Sequence, residues 1–269
     1  MSGATPSNAV VDDRLPRLRL APHAAADPSK IAVTMADGST SITFSELESR
    51  SSAIAAALGA AGLRARDRVA ILMENRIEYL VLAFAAQRSG LLYVPVNWHL
   101  TAEEAEYIVC DSEATVLFSS ARLQELADRL TPKAPNLRLR VLVDAIISAS
   151  SPPTGWTTLE DFEEQGRSAP TPPAIEGQWM FYSSGTTGRP KGIVRPPTAE
   201  KPYGSGTAID ALLGAGYGFD ERSVYLSAAP QYHAAPLGWS MGTLRRGGSV
   251  VVMEKFEPLA APRRSNGTE

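Results

Sequence analysis

The sequence predicts a layered α/β fold with mostly parallel sheets, and three observations carry that expectation. Between residues 68 and 144, four short apolar runs (RVAILM, LLYVPV, ATVLFSS and LRLRVLVD) alternate with helix-patterned segments. Strands that alternate with helices point to a parallel sheet covered on both faces. The runs themselves are largely apolar rather than alternating with polar residues, as strands buried on both sides are. Finally, 44% hydrophobic against 20% charged residues in 269 is the balance of a globular protein with a sizeable core.

Taken in order, residues 1–28 are polar, Pro-containing and unpatterned, and read as a loosely ordered lead-in. IAVTM and SIT then flank ADGST, a hairpin signal. FSELESRSSAIAAALGAAGL places Leu47, Ile54 and Leu58 on one face and reaches Gly62 as a C-cap, which predicts a helix from Phe44 to Ala61. A strand over 68–73 is followed by an apolar helix within 76–90 closed by Gly90, and a strand over 91–96 follows. Thr101 and Glu104 form the T-x-x-E capping box of the next helix. Strand 114–120, helix 121–130 and strand 137–144 complete the alternation.

Residues 145–177 are rich in Pro, Ser, Ala and Gly around one helical stretch, LEDFEEQ, and read as a linker or surface excursion between two lobes. Beyond them QWMFYS and GIVRP are strands on either side of a loop, VYLSAAP (224–230) and SVVVME (249–254) are strands, and GWSMGTLRRGG is a helix. The expected division is a lead-in at 1–28, a first α/β subdomain at 29–176, a second subdomain opening at 177–258, and an aberrant tail at 259–269.

Composition bounds the partners. A net charge of −3 with interspersed signs offers no basic stripe for nucleic acid. The single cysteine, Cys110, permits no internal disulfide or multi-cysteine zinc site, and no metal-ligating set is expected. No stretch approaches the roughly 20 apolar residues of a membrane span, and no basic start precedes an apolar run, so a cytoplasmic location is expected.

The chemistry concentrates in YSSGTTGRPKG, Tyr182 to Gly192. Gly185 and Gly188 let backbone N–H groups form a concave nest. Ser183, Ser184, Thr186 and Thr187 add hydroxyl donors, and Lys191 adds a cation on a flexible stem, a set suited to phosphate oxygens. The spacing G-T-T-G-R-P-K-G departs from the P-loop G-x-x-x-x-G-K-[ST], and a strand-like GIV stands where that motif opens a helix. Arg189 reads as a solvated charge.

Through all eleven positions this stretch resembles the signature loop of the adenylate-forming superfamily, which includes acyl-CoA synthetases, luciferases and nonribosomal-peptide adenylation domains. The resemblance runs over about residues 30–258, and APQYHAAPL (229–237) is similar to the family's Pro-x-x-His stretch. It implies the N-terminal domain of the adenylate-forming fold, with an incomplete second subdomain and no C-terminal domain. It implies ATP, Mg2+ and CoA, and a carboxylic acid joined to CoA through an acyl-adenylate; the Ala-rich surroundings suit a fatty or an aryl acid, and the overall likeness to bacterial fatty-acyl-CoA synthetases makes a fatty acid the expectation. Ser183, Ser184, Gly185, Thr186, Thr187, Gly188 and Lys191 would hold the β- and γ-phosphates, with Thr186, Thr187 and Lys191 foremost. His233 would stand beside the adenylate and the acyl group. Trp239 and Met241 would wall the acyl pocket, or else belong to the core. His99 reads as structural, and His23, in the lead-in, has no role.

Members of the superfamily run to nearly twice this length, and the remainder holds the aromatic-Thr-Glu motif at the adenine, the ribose-binding aspartate and the adenylation lysine. None has a counterpart here, so the alternative expectation is an inactive remnant that binds nucleotide weakly. PRRSNGTE has neither apolar period nor cap, and an insertion or deletion near the codon for Ala261 or Pro262 is the expected origin.

Overall fold

Four of the described helices begin at a threonine whose side chain caps the first turn, and the strands buried on both faces form in apolar runs. The computed structural model describes residues 18–144, 153–183, 189–194 and 200–256. Its first elements are α1 (Leu20–Ala26), β1 (Ile31–Met35), β2 (Ser41–Thr43) and α2 (Phe44–Ala60). There follow β3 (Arg68–Leu72), α3 (Ile77–Arg88), β4 (Leu92–Val96), α4 (Ala102–Asp111), β5 (Val116–Ser120), α5 (Gln124–Leu130) and β6 (Leu139–Val143). The second half contributes β7 (Thr157–Thr158), α6 (Leu159–Arg167), β8 (Gln178–Trp179), β9 (Phe181–Ser183), β10 (Lys191–Ile193), α7 (Ala208–Ala211), β11 (Val224–Ser227), α8 (Ala234–Arg245) and β12 (Ser249–Val252).

The expected capping box closes at α4, where Thr101 Oγ1 accepts from Glu104 N at 3.3 Å and Thr101 N donates to Glu104 Oε2 at 2.9 Å. The same reciprocal pair opens α2 through Thr43 and Glu46. Gly62 and Gly90, with φ of 90° and 71°, take the left-handed conformation that ends α2 and α3.

The alternation of residues 68–144 becomes one six-stranded sheet, ordered β7-β6-β5-β3-β4-β8, in which every neighbouring pair is parallel. Its two faces follow the period of two: Val69 and Ile71 enter one core cluster, Ala70 and Leu72 the other. The first core is shared with α2, α3 and α8 and with a second sheet, β11-β12-β1-β2, parallel except for the β1–β2 hairpin. The second core lies under α4 and α5. The expected fold class, layered α/β with mostly parallel sheets, is the one observed.

Three sequence expectations change. The lead-in contains a helix: α1 buries Leu20 completely, and His23 Nε2 lies 3.0 Å from the carbonyl oxygen of Arg245, while residues 1–17 lie outside the described residues. Seven residues containing a proline are too short to show a helical period, so this helix was invisible in the pattern. The linker reading of 145–177 also fails where the chain is described. Thr157–Thr158 pairs with β6, and α6 buries Leu159 and Phe162, crossing α2 so closely that a Cβ at Gly166 would stand 1.8 Å from Ala53 O. Its Pro- and Gly-rich flanks masked an element that is part of the main core. Sheet membership, finally, crosses the division expected at residue 177: β8 completes the first sheet, while the early hairpin β1–β2 completes the second. Residues 145–152 and the expected tail lie outside the described residues.

Candidate functional site

The glycine-rich loop is held by a hairpin. β9 and β10 pair antiparallel, with Ser183 opposite Lys191, Tyr182 opposite Gly192 and Phe181 opposite Ile193. The two ends of the loop are therefore neighbours, and both Ser183 and Lys191 are exposed. Ser184, Gly185, Thr186, Thr187 and Gly188 lie outside the described residues.

The hairpin is tied to α4. Tyr182 Oη donates to Asp111 Oδ2 at 2.7 Å, and burial together with that carboxylate pushes the phenol well above its ordinary pKa, so it stays a donor. Arg189, read as a solvated charge, stands over the Tyr107 ring at 5.3 Å. Gly192 faces Met180 and Tyr182, where a Cβ would come within 2.4 Å of Met180 Cε. A close approach of this kind explains the glycine without invoking a ligand.

His233 occupies a different place. It is the N-cap residue of α8, with φ −98° and ψ 150°; its imidazole makes no capping bond and is exposed. Its ring packs on Tyr232 at 4.6 Å, Tyr232 meets His99 edge-on at 6.4 Å, and His99 stacks on Trp98 at 3.6 Å. Trp98 and His99 follow β4, and the segment before His233 follows β11, so the carboxyl ends of two parallel strands supply this group. Such ends are where open α/β sheets bind ligands. His99, read as structural, thus stands one ring away from His233. The described partners of the hairpin (Asp111, Tyr107, Met180) and those of His233 share no residue.

A buried polar clamp fixes the segment before His233. Asn75, just after β3, donates from Nδ2 to Met253 O at 2.9 Å and to Ala229 O at 3.1 Å, and accepts at Oδ1 from Gln231 N at 2.7 Å. Gln231 Oε1 accepts from Arg76 N at 3.3 Å. Asn75 and Gln231 are buried, so these bonds act where water does not compete. Beside them Ser120 Oγ donates to Glu74 Oε2 at 2.6 Å, joining the ends of β3 and β5. The sequence offered a signal for this clamp: a polar Glu-Asn pair directly after an apolar strand.

The two expected pocket residues separate along α8. Met241 is wholly buried in the core, its sulfur 3.4 Å from the Tyr93 hydroxyl. For Met241 the core alternative describes what is observed. Trp239 is half-buried in a ring cluster with Tyr217 at 5.0 Å, Phe219 at 5.7 Å and Tyr225 at 5.9 Å. The glycines beside it face inward: a Cβ on Gly238 or Gly242 would meet Ile209 Cδ1 or Leu213 Cδ1 at 2.4 Å.

At the other end of α8, Arg245 is 1% exposed and pairs with Asp210 at 3.2 Å and Glu176 at 3.1 Å. Gln87 Nε2 donates to Glu176 at 2.7 Å. Burial pushes the Glu176 carboxyl above its ordinary range, and Arg245 only partly opposes it. This cluster anchors the helix whose first turn carries His233.

Among the described residues no three His, Cys, Asp or Glu side chains gather as a metal site. No described helix is long and apolar enough to cross a membrane.

A family model for AMP-binding enzymes matches residues 20–266. Feruloyl-CoA synthase of Amycolatopsis sp is 34% identical over 248 residues, which are 91% of this chain and 44% of that protein. The long-chain-fatty-acid–CoA ligase FadD13 of Mycobacterium tuberculosis is 30% identical over 225 residues, 80% of this chain and 40% of that one. Among solved structures, a putative long-chain-fatty-acid CoA ligase from Rhodopseudomonas palustris superposes with a TM-score of 0.75 at 24% identity, over 91% of this chain and 58% of its own. ATP-bound MatB from the same organism superposes at 0.67 with 26% identity, over 91% and 46%. The chain spans less than half the length of these curated relatives. With the family model running from α1 to beyond β12 and the same layered sheets recurring in both solved structures, the chain belongs to the AMP-binding enzyme family.

Proposed function

We propose that this chain is the N-terminal part of an ATP-dependent carboxylic acid:CoA ligase that works through an acyl-adenylate. The observation that carries the reading is the hairpin β9–β10, which brings Ser183 and Lys191 to the two mouths of a Gly/Ser/Thr loop. Relatives named as a feruloyl-CoA synthase and a long-chain-fatty-acid–CoA ligase, and a solved relative with ATP bound, support it.

In this reading the acid's carboxylate attacks the α-phosphorus of ATP and pyrophosphate leaves. The thiol of CoA then attacks the acyl carbonyl, AMP leaves and the thiol proton is released. Both partners of the first step are anions, so the protein's task is positioning and charge neutralisation. Lys191, Ser183 and the hydroxyls and N–H groups of Ser184, Gly185, Thr186, Thr187 and Gly188 hold the β- and γ-phosphates. Mg2+ on the phosphates adds charge neutralisation. His233, free of capping duty, faces the acyl group and the adenylate, and Asn75 sets its position through Gln231. A cytoplasmic enzyme of acyl activation fits these partners. The expectation of a fatty acid rests on the overall likeness to bacterial fatty-acyl-CoA synthetases, the Ala-rich sequence suiting a fatty or an aryl acid alike.

A second reading is favoured by the extent of the match: the 269 residues by themselves are a catalytically inactive unit that binds nucleotide weakly. The test is ATP·Mg2+ titration of the chain by calorimetry. Lys191→Ala is expected to weaken binding about tenfold, the effect of one charge-assisted phosphate contact. Acid-dependent pyrophosphate release is expected to be undetectable from the 269 residues alone. ATP binding that is indifferent to Lys191 would reject the phosphate role.

A further inference from the structure

The hairpin that carries the proposed phosphate loop is a sheet of two strands, β9 and β10. A lone two-stranded ribbon is marginal in water, so its orientation is set by what it rests against. Two of its contacts reach the last turn of α4, one from each end of the loop. On the entering strand Tyr182 Oη donates to Asp111 Oδ2 at 2.7 Å; where the chain leaves the loop, the Arg189 guanidinium stands 5.3 Å over the Tyr107 ring. Tyr107 and Asp111 are four residues apart on α4 and so share one face of the helix. There Tyr107 Oη donates to Asp111 Oδ1 at 3.3 Å, so one carboxylate accepts from two phenols and joins both contacts.

The ribbon divides its two faces between this grip and the ligand. Opposite residues of an antiparallel pair project to one face, and successive residues to alternate faces. Tyr182 and Gly192 therefore share the face that meets Asp111, while Ser183 and Lys191 share the other and are exposed. Gly192 leaves the Tyr182 ring its place, since a Cβ there would stand 3.1 Å from Tyr182 Cζ and Oη. Asp111 also breaks a local rule. It is the final residue of α4, at the negative end of the helix dipole, where a carboxylate is unfavourable, and no basic residue occupies that last turn. Such breaks concentrate where function requires them.

We propose that Asp111 is a positioning residue for ATP: through Tyr182, and through Tyr107 beneath Arg189, it holds both ends of the phosphate loop on α4 so that Lys191 is presented in one orientation. This rests on the ligase reading. The test is ATP·Mg2+ titration of the 269-residue chain by calorimetry. Tyr182→Phe removes one hydroxyl and keeps the ring, and Asp111→Ala removes the acceptor. Each is expected to weaken ATP about fivefold, and the double variant about as much as either, since both break the same tie. Electrostatics alone gives the opposite sign, because removing a carboxylate near a polyphosphate tightens its binding. Asp111→Asn keeps an acceptor oxygen without the charge and is expected to restore affinity to within about twofold. In a Lys191→Ala background Tyr182→Phe is expected to change affinity by less than about twofold, because the tie acts through that cation. The melting temperature of Tyr182→Phe is expected to stay within about 2 °C of the unsubstituted chain. Unchanged or tighter ATP binding by Asp111→Ala overturns the inference, and so does an Asp111→Asn no better than alanine. Lys191-dependent ATP binding that ignores Tyr182→Phe rejects the tie and leaves the ligase reading standing. Absence of Lys191-dependent ATP binding in the unsubstituted chain rejects the ligase reading, and the positioning role with it.

Discussion

Replacing Asn75 by alanine removes the clamp that joins three strand ends, and its cost follows from the geometry. The side chain is 5% exposed and makes three hydrogen bonds at 2.7, 2.9 and 3.1 Å, all to backbone groups. Each such bond contributes about 1 kcal/mol net, and a buried backbone group left without a partner costs about 1–3 kcal/mol. Ala229 O, Met253 O and Gln231 N would all be stranded, although water entering the vacated volume recovers part of the loss. The expected destabilisation is about 3 kcal/mol, a large part of the roughly 5–15 kcal/mol that holds a domain together. In urea unfolding followed by circular dichroism, with a slope of about 2 kcal/mol/M, the midpoint falls by about 1.5 M at unchanged slope. Asn75→Asp preserves shape and the acceptor for Gln231 N, but turns an anionic oxygen towards two carbonyls, so it is expected to be no better than alanine. A midpoint shift of Asn75→Ala below about 0.3 M, or a neutral Asn75→Asp, would refute the clamp. Hydrogen exchange supplies the local readout: the Gln231 amide should lose protection before the strands of the six-stranded sheet do.

Other consequences can be checked on the same chain. Arg245→Met leaves Asp210 and Glu176 buried without their cation and should cost about 3–5 kcal/mol; adding Asp210→Asn and Glu176→Gln should recover a measurable part of the lost melting temperature. Gly238→Ala pushes a methyl into Ile209 and should destabilise by about 1–3 kcal/mol, with Ile209→Val in the same chain restoring most of it. Glu78 gives a pH dependence of known sign. Burial pushes its carboxyl up, but Arg76 and Arg50 outweigh burial and hold it below its ordinary value of 4.5. A depressed folded-state pKa means stability that is present above pH 4.5 and lost as pH falls through the lower folded value. Glu78→Gln should therefore lower the melting temperature near neutrality and flatten its acid limb.

Most of the fold was legible because its signals are local. Thr101 and Glu104 cap a helix whatever surrounds them, and runs such as RVAIL and LYVPV are apolar because both faces are covered. What escaped depended on distant partners. α1 owes its order to the burial of Leu20 and to the His23–Arg245 contact, and neither leaves a period in seven residues. α6 hides among prolines, and only its crossing of α2 makes it core. At the site, the loop could be read as phosphate-seeking from its residue types, and the hairpin that closes it was visible in the flanking strands. Asn75, His99 and Tyr232 were not visible as a group, since they come together only when the ends of β3, β4 and β11 meet. Trp239 and Met241, two residues apart, could not be told apart without knowing which side of α8 faces the core.

The pairing of β1 with β12 has a consequence for synthesis. Val33 finds its parallel partner Val250 only after roughly 200 further residues have been made. At about 5–20 residues per second, that is a delay of about 10–40 s. Throughout that time the β1–β2 hairpin can pack on α2 but has one edge without a neighbour, while the six-stranded sheet can already assemble beside it. An unpaired apolar edge on a nascent chain invites the wrong strand. β1 is thus made long before the strand that completes its pairing, and a vulnerable period in the synthesis of this protein precedes the making of Ser249–Val252.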